Sequence, residues 1–161
     1  MLSDKRMIID FVSGKDKVAY KDAQESLEFL LPISDSYPNI EKWFQNIVFP
    51  GLGDGTRKLF IQRRAGVIIA LGIAKRTETE KKICTVRVAP SYVGKGIGVR
   101  IFKEAMQWLG TDMPHLTVSE DRLSDFEKIF RHFNYKLTST SKGKYLPEKV
   151  EYLYNEKKRL R

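Results

Sequence analysis

The chain has 161 residues, 42% of them hydrophobic and 30% charged, which fits one globular domain over residues 1–161 and leaves no apolar run near the roughly 18 residues that cross a membrane. The first six residues carry no signal-peptide stretch, and the chain has one cysteine, so we expect a cytoplasmic protein with no disulfide and no membrane partner. One cysteine and two histidines are few for a structural zinc site, so we expect no metal. The net charge of +9 points to anionic partners, with a basic surface that only aids solubility as the alternative.

Apolar periodicity predicts a strand and two helices in the first third of the chain. Residues Met7 to Val12 have the apolar emphasis of a strand. Apolar side chains at helical spacing then predict a helix from Val18 that Pro32 closes, and a second helix from its N-cap Asn39 to Val48. The run Pro50 to Gly55 predicts a loop after this second helix.

Three strands are predicted next, and the first two form a hairpin. Two β-like runs, Lys58 to Arg63 and Gly66 to Lys75, meet at the turn Arg64-Ala65-Gly66. After a polar turn, the run Ile83 to Val88 predicts the third strand. The hairpin strands should pair antiparallel because their connection is too short for a crossover.

The last part of the sequence alternates strands and helices. A helix is predicted from Gly98 to Leu109, followed by a short buried strand from Leu116 to Ser119. A capping box over Ser124 to Glu127 begins the next helix, which runs to about Phe133. Two strands follow, from Tyr135 to Thr140 and from Val150 to Tyr154. The order is therefore β-α-α-β-β-β-α-β-α-β-β, and the unit from Ile83 to Ser119 should pair its strands in parallel. We expect an α/β (α+β mixed) fold: one mixed, mostly antiparallel sheet of six to seven strands with helices on both faces.

The most informative motif runs from Val86 to Gly98, where a strand leads through a proline into three alternating glycines and an amphipathic helix. Glycine adopts backbone angles that a side chain forbids, so successive N–H groups can converge at the positive end of the helix dipole. This arrangement predicts a phosphate or pyrophosphate site. A nucleotide P-loop fits poorly because Val99 and Arg100 follow the last glycine, and the glycine spacing departs from the dinucleotide fingerprint. A purely structural glycine turn is the remaining alternative.

The same segment resembles the acyl-CoA-binding signature of the GNAT superfamily of N-acetyltransferases. The element order fits the fold of that superfamily, and Phe126 to Leu137 is similar to its closing helix and the residues after it. The sequences at Ile83-Cys84-Thr85 and from Leu116 to Glu120 are similar to a bacterial branch of the superfamily. The resemblance therefore implies acetyl-CoA as co-substrate and an amine as acceptor.

The resemblance also implies which residues hold the cofactor. The backbone of Val86 and Val88 would pair with the pantetheine amides as an added strand does, and a bulge at Val86 or Arg87 would donate an N–H to the oxyanion. The pyrophosphate would lie on the N–H groups of Val93, Gly94, Lys95, Gly96, Ile97 and Gly98. The family usually has Arg or Gln where this chain has Val93, so one side-chain contact is lost while the backbone contacts remain.

The implied reaction is direct attack of a neutral amine on the acetyl thioester in a ternary complex. The usual general acid of the family is a tyrosine, and the matching residue here is Phe130, which has no proton to give. Ser119 and Glu120 follow a parallel-type strand, where ligand crevices form, and are the candidate replacements. Ser119 and Glu120 could equally be loop and cap residues. Cys84 and His132 are further candidates for the general acid, and the thiolate could also leave without one.

Three functions remain open at this point. The leading one is an acetyl-CoA-dependent N-acetyltransferase. The second is a CoA-binding sensor or interaction module with weak or no turnover, because the usual tyrosine is missing. The third is a toxin-like acetyltransferase acting on aminoacyl-tRNA, suggested by the basic tail from Lys157 to Arg161, although no aromatic-interleaved motif supports nucleic-acid binding. The run Tyr152 to Tyr154 near a sheet edge could mediate a homodimer, and the sequence does not identify the acceptor.

Overall fold

The computed structural model describes residues 14–157, and side chains from residue 19 onward. The strand predicted at Met7 to Val12 and the last four residues of the basic tail lie outside the described residues. Within that range the α-helices are α1 (Gly14–Leu30), α2 (Ile40–Trp43), α3 (Phe49–Asp54), α4 (Ile97–Leu109) and α5 (Leu123–His132). The strands are β1 (Arg57–Arg64), β2 (Val67–Arg76), β3 (Lys81–Val88), β4 (Leu116–Ser119), β5 (Leu137–Lys142) and β6 (Val150–Tyr154).

The loop predicted from Pro50 to Gly55 is wrong, because the chain stays helical through Asp54. A π-helical turn, Phe44–Val48, connects α2 to α3. Pro50 lies where the π turn passes into α3, and because proline has no N–H it cannot donate to a carbonyl of the preceding turn. The helix ends at Gly55, whose φ of +83° is a conformation that favours glycine.

The β1–β2 hairpin is confirmed, and its turn has the geometry that the two strands require. Ala65 and Gly66 both have positive φ, +50° and +79°. Two left-handed residues in succession define the type I′ turn, whose twist matches that of antiparallel strands. The pairing carries through to β3, so the first sheet has the order β1-β2-β3 and is antiparallel throughout.

The strands form two three-stranded sheets rather than the single sheet of six to seven strands that we predicted. The second sheet has the order β4-β6-β5 and is also antiparallel. One parallel bridge joins the sheets at Lys82 and His115. There Ile83 N–H donates to His115 O at 2.9 Å, and His115 N–H donates to Lys81 O at 3.0 Å. The predicted parallel pairing is limited to this bridge.

Beyond the bridge, β3 and β4 separate and leave a gap between the two sheets. The pairing of β3 with β2 shifts register at this point, because Ile73 pairs with Thr85 while Ala74 pairs with Ile83. The extra residue is Cys84, and a bulge of this kind bends and twists its strand. The sequence-based bulge at Val86 or Arg87 is therefore misplaced, since both of those residues pair regularly with β2.

Helices cover both faces of the first sheet, as predicted. Leu71 and Ile73 on β2 pack toward α1, α2 and the π turn, whereas Ala70 and Ala74 pack toward α4. Gly72 lies between these alanines on the α4 face, and a Cβ there would come 2.5 Å from Ile101 Cγ2. The buried face of α4 is the predicted one: Ile101, Phe102, Ala105, Met106 and Leu109.

The capping box predicted over Ser124 to Glu127 is not formed. Helix α5 begins at Leu123 with Arg122 as its N-cap residue, and no side chain caps it. Ser124 therefore lies inside the first turn, where its hydroxyl cannot act as an N-cap. None of the described helices combines the length and the apolar character that crossing a membrane demands.

Candidate active site

A cleft of about 960 Å³ lies between the glycine segment and α5. Gly94 and Gly96 have φ of +81° and +80°, and Gly96 is the N-cap of α4. The first N–H of α4 to reach a carbonyl is that of Arg100, which donates to Gly96 O at 3.2 Å. Helix geometry leaves the N–H groups of residues 97–99 without helical partners, so they are available to an anion in the cleft.

Gly98 allows α5 to pack over the start of α4. A Cβ at Gly98 would come 2.9 Å from Ile129 Cδ1 on α5 and 3.7 Å from Val88 Cγ2 on β3. This glycine is buried, and it keeps the wall of the cleft close to the helix N-terminus. The alternation of glycines thus meets two separate needs, two left-handed backbone positions and one close approach.

Cationic side chains predominate around this cleft: its lining includes Arg87, Arg122 and Lys128, against the single carboxylate of Asp125. Arg87 is fixed by its own contacts, since Nη1 donates to Phe29 O at 2.8 Å and the guanidinium lies 4.3 Å from the centroid of the Phe29 ring. Burial lowers the pKa of Arg87. A cleft with this charge balance suits a ligand that carries several negative charges.

Of the eight residues predicted to bind the cofactor, Val86 lies on β3 outside the cleft lining, and the other seven divide into two groups. Those that line the cleft are Val88, Val93, Gly94, Gly96 and Gly98. Lys95 is exposed, and its Nζ lies 5.5 Å from the centroid of the Tyr92 ring. The side chain of Ile97 packs against the apolar core around α4. For Lys95 and Ile97, contact of the backbone N–H group with the pyrophosphate stays a prediction.

The free edge of β3 faces the gap between the sheets. Ala89 N–H donates to Ile69 O at 2.8 Å on the β2 side, so the peptide groups of Val88 and Val86 turn to the opposite edge. Arg122 reaches across the gap, and its Nη2 donates to Val86 O at 3.3 Å. This edge offers backbone groups to an extended ligand in the way that an exposed strand does.

A small space of about 30 Å³, which we call the channel, lies in the gap and is lined by residues of both β3 and β4. It shares Arg122 and Phe126 with the cleft. A second, larger cavity has a volume of about 370 Å³. The channel and this second cavity share Tyr37, Cys84, Thr85 and Thr117. The channel therefore adjoins both of the larger spaces.

The second cavity is lined by aromatic and cationic side chains. Its aromatic lining residues are Tyr37, Trp43 and Tyr145, and its charged ones are Arg57, Lys75, Glu80, Lys82 and Lys144. Tyr37 and Tyr145 pack edge to face with their ring centroids 5.3 Å apart. No motif in the sequence pointed to this cavity, because its walls come from segments spread over residues 37–145.

Phe130 lines the channel, where the resemblance places the usual tyrosine of the family. It is 4% exposed, and its ring centroid is 4.5 Å from that of Tyr154. A tyrosine from another part of the chain, Tyr37, lines both the channel and the second cavity. Burial raises the pKa of Tyr37, the charge of Glu151 raises it further, and the phenol is therefore held in its protonated form.

Ser119 and Glu151 form a buried polar pair that lines none of the three spaces. They are cross-strand partners on β4 and β6, so their side chains share one sheet face with Thr117, which lines the second cavity. Each is 1% exposed, and Ser119 Oγ and Glu151 Oε2 have no hydrogen-bond partner among the described residues. Burial raises the pKa of Glu151 to about 7, against the opposing effect of Lys144. Sequence reasoning missed Glu151 because no motif marks it.

The other candidates from the sequence have different surroundings. Glu120 is exposed, its Oε1 accepts a hydrogen bond from Val150 N–H at 3.2 Å, and it lines none of the three spaces. Cys84 accepts a hydrogen bond from Arg57 Nη1 at 3.3 Å, and burial raises the pKa of its thiol. His132 lines the outer cleft rather than the channel. Over residues 14–157, no cluster of His, Cys, Asp and Glu side chains is arranged to hold a metal ion.

Comparison with known proteins places these features in a family context. Residues 19–124 match the model of the acetyltransferase (GNAT) family, whereas no curated protein matches the sequence significantly. An acetyltransferase of the GNAT family from Desulfovibrio desulfuricans is similar in structure, with a TM-score of 0.66 at 13% identity over 83% of this chain and 90% of that chain.

Two further structures were solved with coenzyme A. The PaiA N-acetyltransferase of Thermoplasma acidophilum has a TM-score of 0.61 at 14% identity, over 83% of this chain and 91% of that chain. An aminoglycoside 6′-N-acetyltransferase has a TM-score of 0.58 at 11% identity, over 88% of this chain and 92% of that chain. Likeness at these identities shows the fold, and it confirms the mixed α/β architecture.

Proposed function

The chain belongs to the acetyltransferase (GNAT) family, as its glycine signature predicted, and on that premise we propose that it moves an acetyl group from acetyl-CoA to an amine by direct attack in a ternary complex. The observation that supports this best is that the channel in the gap between the sheets adjoins both the cleft and the second cavity. Two substrates held in these two larger spaces would have their reacting groups next to each other at the channel, which converts a bimolecular step into a unimolecular one.

In this proposal the cleft holds coenzyme A. The diphosphate lies on the N–H groups at the start of α4, and Lys128 and His132 lie near the third phosphate of coenzyme A, the one on its ribose. The pantetheine arm runs along the edge of β3 and pairs with Val86 and Val88. Arg122 already donates to Val86 O, so it must share or release that carbonyl when the arm binds.

We assign proton transfer to Glu151 and Tyr37. Glu151 does not line the channel itself but lies on the sheet face of Thr117, which does, so the substrate ammonium gives one proton to its carboxylate through a bridging water. The pKa of about 7 suits a base near neutral pH. The nitrogen lone pair then forms the C–N bond, and the carbonyl π pair moves to oxygen. When the C–S bond breaks, sulfur keeps the bonding pair and takes the phenolic proton of Tyr37. The second proton of the nitrogen returns to the phenolate, and the products are an amide and free coenzyme A.

The cofactor half of the proposal is tested at Val93, which lines the cleft and is 58% exposed, so that substitution there has little effect on folding. V93D puts a negative charge beside the proposed diphosphate and should weaken acetyl-CoA binding about tenfold or more in calorimetry. V93R supplies a cation, the kind of side chain that the family usually has there, and should tighten it. The control is V67D at Val67, which is 65% exposed and outside all three spaces. No heat of binding with wild-type protein at high micromolar acetyl-CoA would refute the function.

The sensor alternative is supported by one feature, the buried Phe130 at the usual tyrosine position. Release of the coenzyme A thiol, measured over a panel of amines, separates the two functions. Turnover with any amine above the rate of thioester hydrolysis supports the transferase. Tight acetyl-CoA binding without release for every amine supports the sensor. The aminoacyl-tRNA hypothesis rests on the basic tail, which lies largely outside the described residues, and it stays a prediction.

A further inference from the structure

Three cations form a row across the first sheet on the face of the second cavity. Arg57 is the direct cross-strand partner of Lys75, and Lys75 is the direct partner of Lys82. All three line the cavity, and Lys144 contributes a fourth cation from the segment between β5 and β6. Like charges directly opposite each other destabilise a sheet, so this row has a cost in the unliganded protein.

Carboxylates of the protein offset this charge only in part. Lys75 Nζ lies 2.8 Å from Glu80 Oε2. Within residues 19–157, whose side chains are described, Arg57, Lys82 and Lys144 make no salt bridge with a carboxylate. Burial and the neighbouring Lys82 lower the pKa of Lys144. The cavity therefore has an excess of positive charge that a bound anion would balance.

The position of the row fits one end of a short acceptor. The mouth of the channel is marked by Cys84 and Thr85, two and three residues along β3 from Lys82. At about 3.3 Å per residue, this places the backbone of Lys82 about 7–10 Å from the mouth of the channel. A molecule with its amine in the channel and an anionic group on the row would be a few bonds long, and a cavity of about 370 Å³ has room for it.

We propose that the acceptor is a small amine that also carries an anionic group, a carboxylate or a phosphate, and that Arg57, Lys82 and Lys144 bind this group in the second cavity. The proposal rests on the proposed acetyl transfer and specifies its substrate class. The aromatic rings of Tyr37, Trp43 and Tyr145 would enclose the carbon skeleton. A polyamine would bring a second positive charge beside the row and is disfavoured.

The first experiment compares matched acceptors at saturating acetyl-CoA. The pairs are O-phosphoethanolamine with ethanolamine, and β-alanine with β-alaninamide, while spermidine represents the polyamines. We expect kcat/KM to be at least tenfold higher for the anionic member of at least one pair, and lowest for spermidine. Preference in the first pair identifies a phosphate and preference in the second a carboxylate. Equal rates within both pairs, or preference for spermidine, would overturn the substrate class.

The second experiment uses adjacent lysines on opposite faces of β3. K82Q removes a cation from the cavity and should lower kcat/KM for the preferred anionic amine tenfold or more, while the rate with its neutral counterpart changes less than twofold. K81Q removes the same charge from the exposed side chain of Lys81, which lies outside the cavity, and should leave both rates unchanged. Equal effects of K82Q and K81Q would refute the cation row as the binding site.

A binding readout keeps this proposal separate from the proposed function. With coenzyme A saturating the cleft, O-phosphoethanolamine or β-alanine should raise the melting temperature of the wild type and of K81Q, but not of K82Q. Calorimetry should give the three proteins the same affinity for acetyl-CoA. Loss of acetyl-CoA binding by the wild type would refute the transferase itself. Normal acetyl-CoA binding with no anion-dependent shift would refute only the anionic acceptor.

Discussion

The two larger spaces that adjoin the channel are built in different ways. The part of the cleft that the sequence motif predicts is backbone: the turn at Gly94 and Gly96, the first N–H groups of α4 and the edge of β3. The second cavity consists of side chains that separate segments bring together. A backbone site tolerates many sequences and suits the part of a reaction that related proteins share. A side-chain site can differ in every protein, so the acceptor is encoded there.

The largest effect that this contrast predicts is at Glu151. E151Q should lower kcat about 10²- to 10⁴-fold because the ammonium loses its base. The wild-type kcat/KM should rise with pH through about 7, as the Glu151 carboxyl loses its proton, and the variant should lack this rise. Steady-state rates between pH 5.5 and 8.5 measure both effects.

The matched control for Glu151 is Glu120, the carboxylate that the sequence favoured. Glu120 is exposed and its carboxylate accepts a hydrogen bond from Val150 N–H, so E120Q should keep the wild-type rate and pH profile. Acetyl-CoA affinity should be unchanged in both variants. A large loss in E120Q with a normal E151Q would restore the sequence-based candidate and remove the buried one.

The same carboxyl predicts how stability depends on pH. The pKa of Glu151 is raised from 4.5 to about 7 by burial, so the folded state holds a proton that the unfolded state releases. The contribution of this proton to the free energy of unfolding is complete below pH 4.5 and is lost as the pH rises through 7. The free energy of unfolding falls by up to about 3 kcal/mol over this range. E151Q should therefore gain stability over the wild type at pH 8 and much less at pH 5. Urea unfolding at the two pH values checks this, and an equal difference at both would contradict the burial argument.

The contrast also explains how much could be predicted from the sequence. The cleft could be located because a local pattern from Val86 to Gly98 determines its backbone. Glu151 could not be found this way, since its place beside Ser119 depends on the register between β4 and β6, which are separated in sequence by α5 and β5. The gap itself was missed because it depends on a one-residue bulge at Cys84, and no apolar periodicity marks an extra residue of this kind.

A smaller effect is expected at Tyr37. Y37F removes the proposed donor to the leaving thiolate and should lower kcat about 10- to 100-fold, with acetyl-CoA affinity unchanged. F130Y restores a phenol at the position where the family usually has one, on the wall of the same channel. The double variant Y37F/F130Y should therefore recover part of the lost rate. Wild-type turnover by Y37F would show that the thiolate leaves unaided.

The smallest effect concerns the stability of the free protein. Lys82 and Lys75 are like charges on neighbouring strands, and removing one relieves a repulsion of up to about 1 kcal/mol. K82Q should thus be slightly more stable than the wild type in low-salt buffer, whereas K58Q, at an exposed lysine that pairs with Ala74, should not. K81Q is no control for this measurement, because Lys81 pairs directly with Arg76 and its removal should relieve a similar repulsion. Added salt screens the repulsion and should shrink the gain of K82Q. An equal gain in K58Q would contradict the cost assigned to the row of cations.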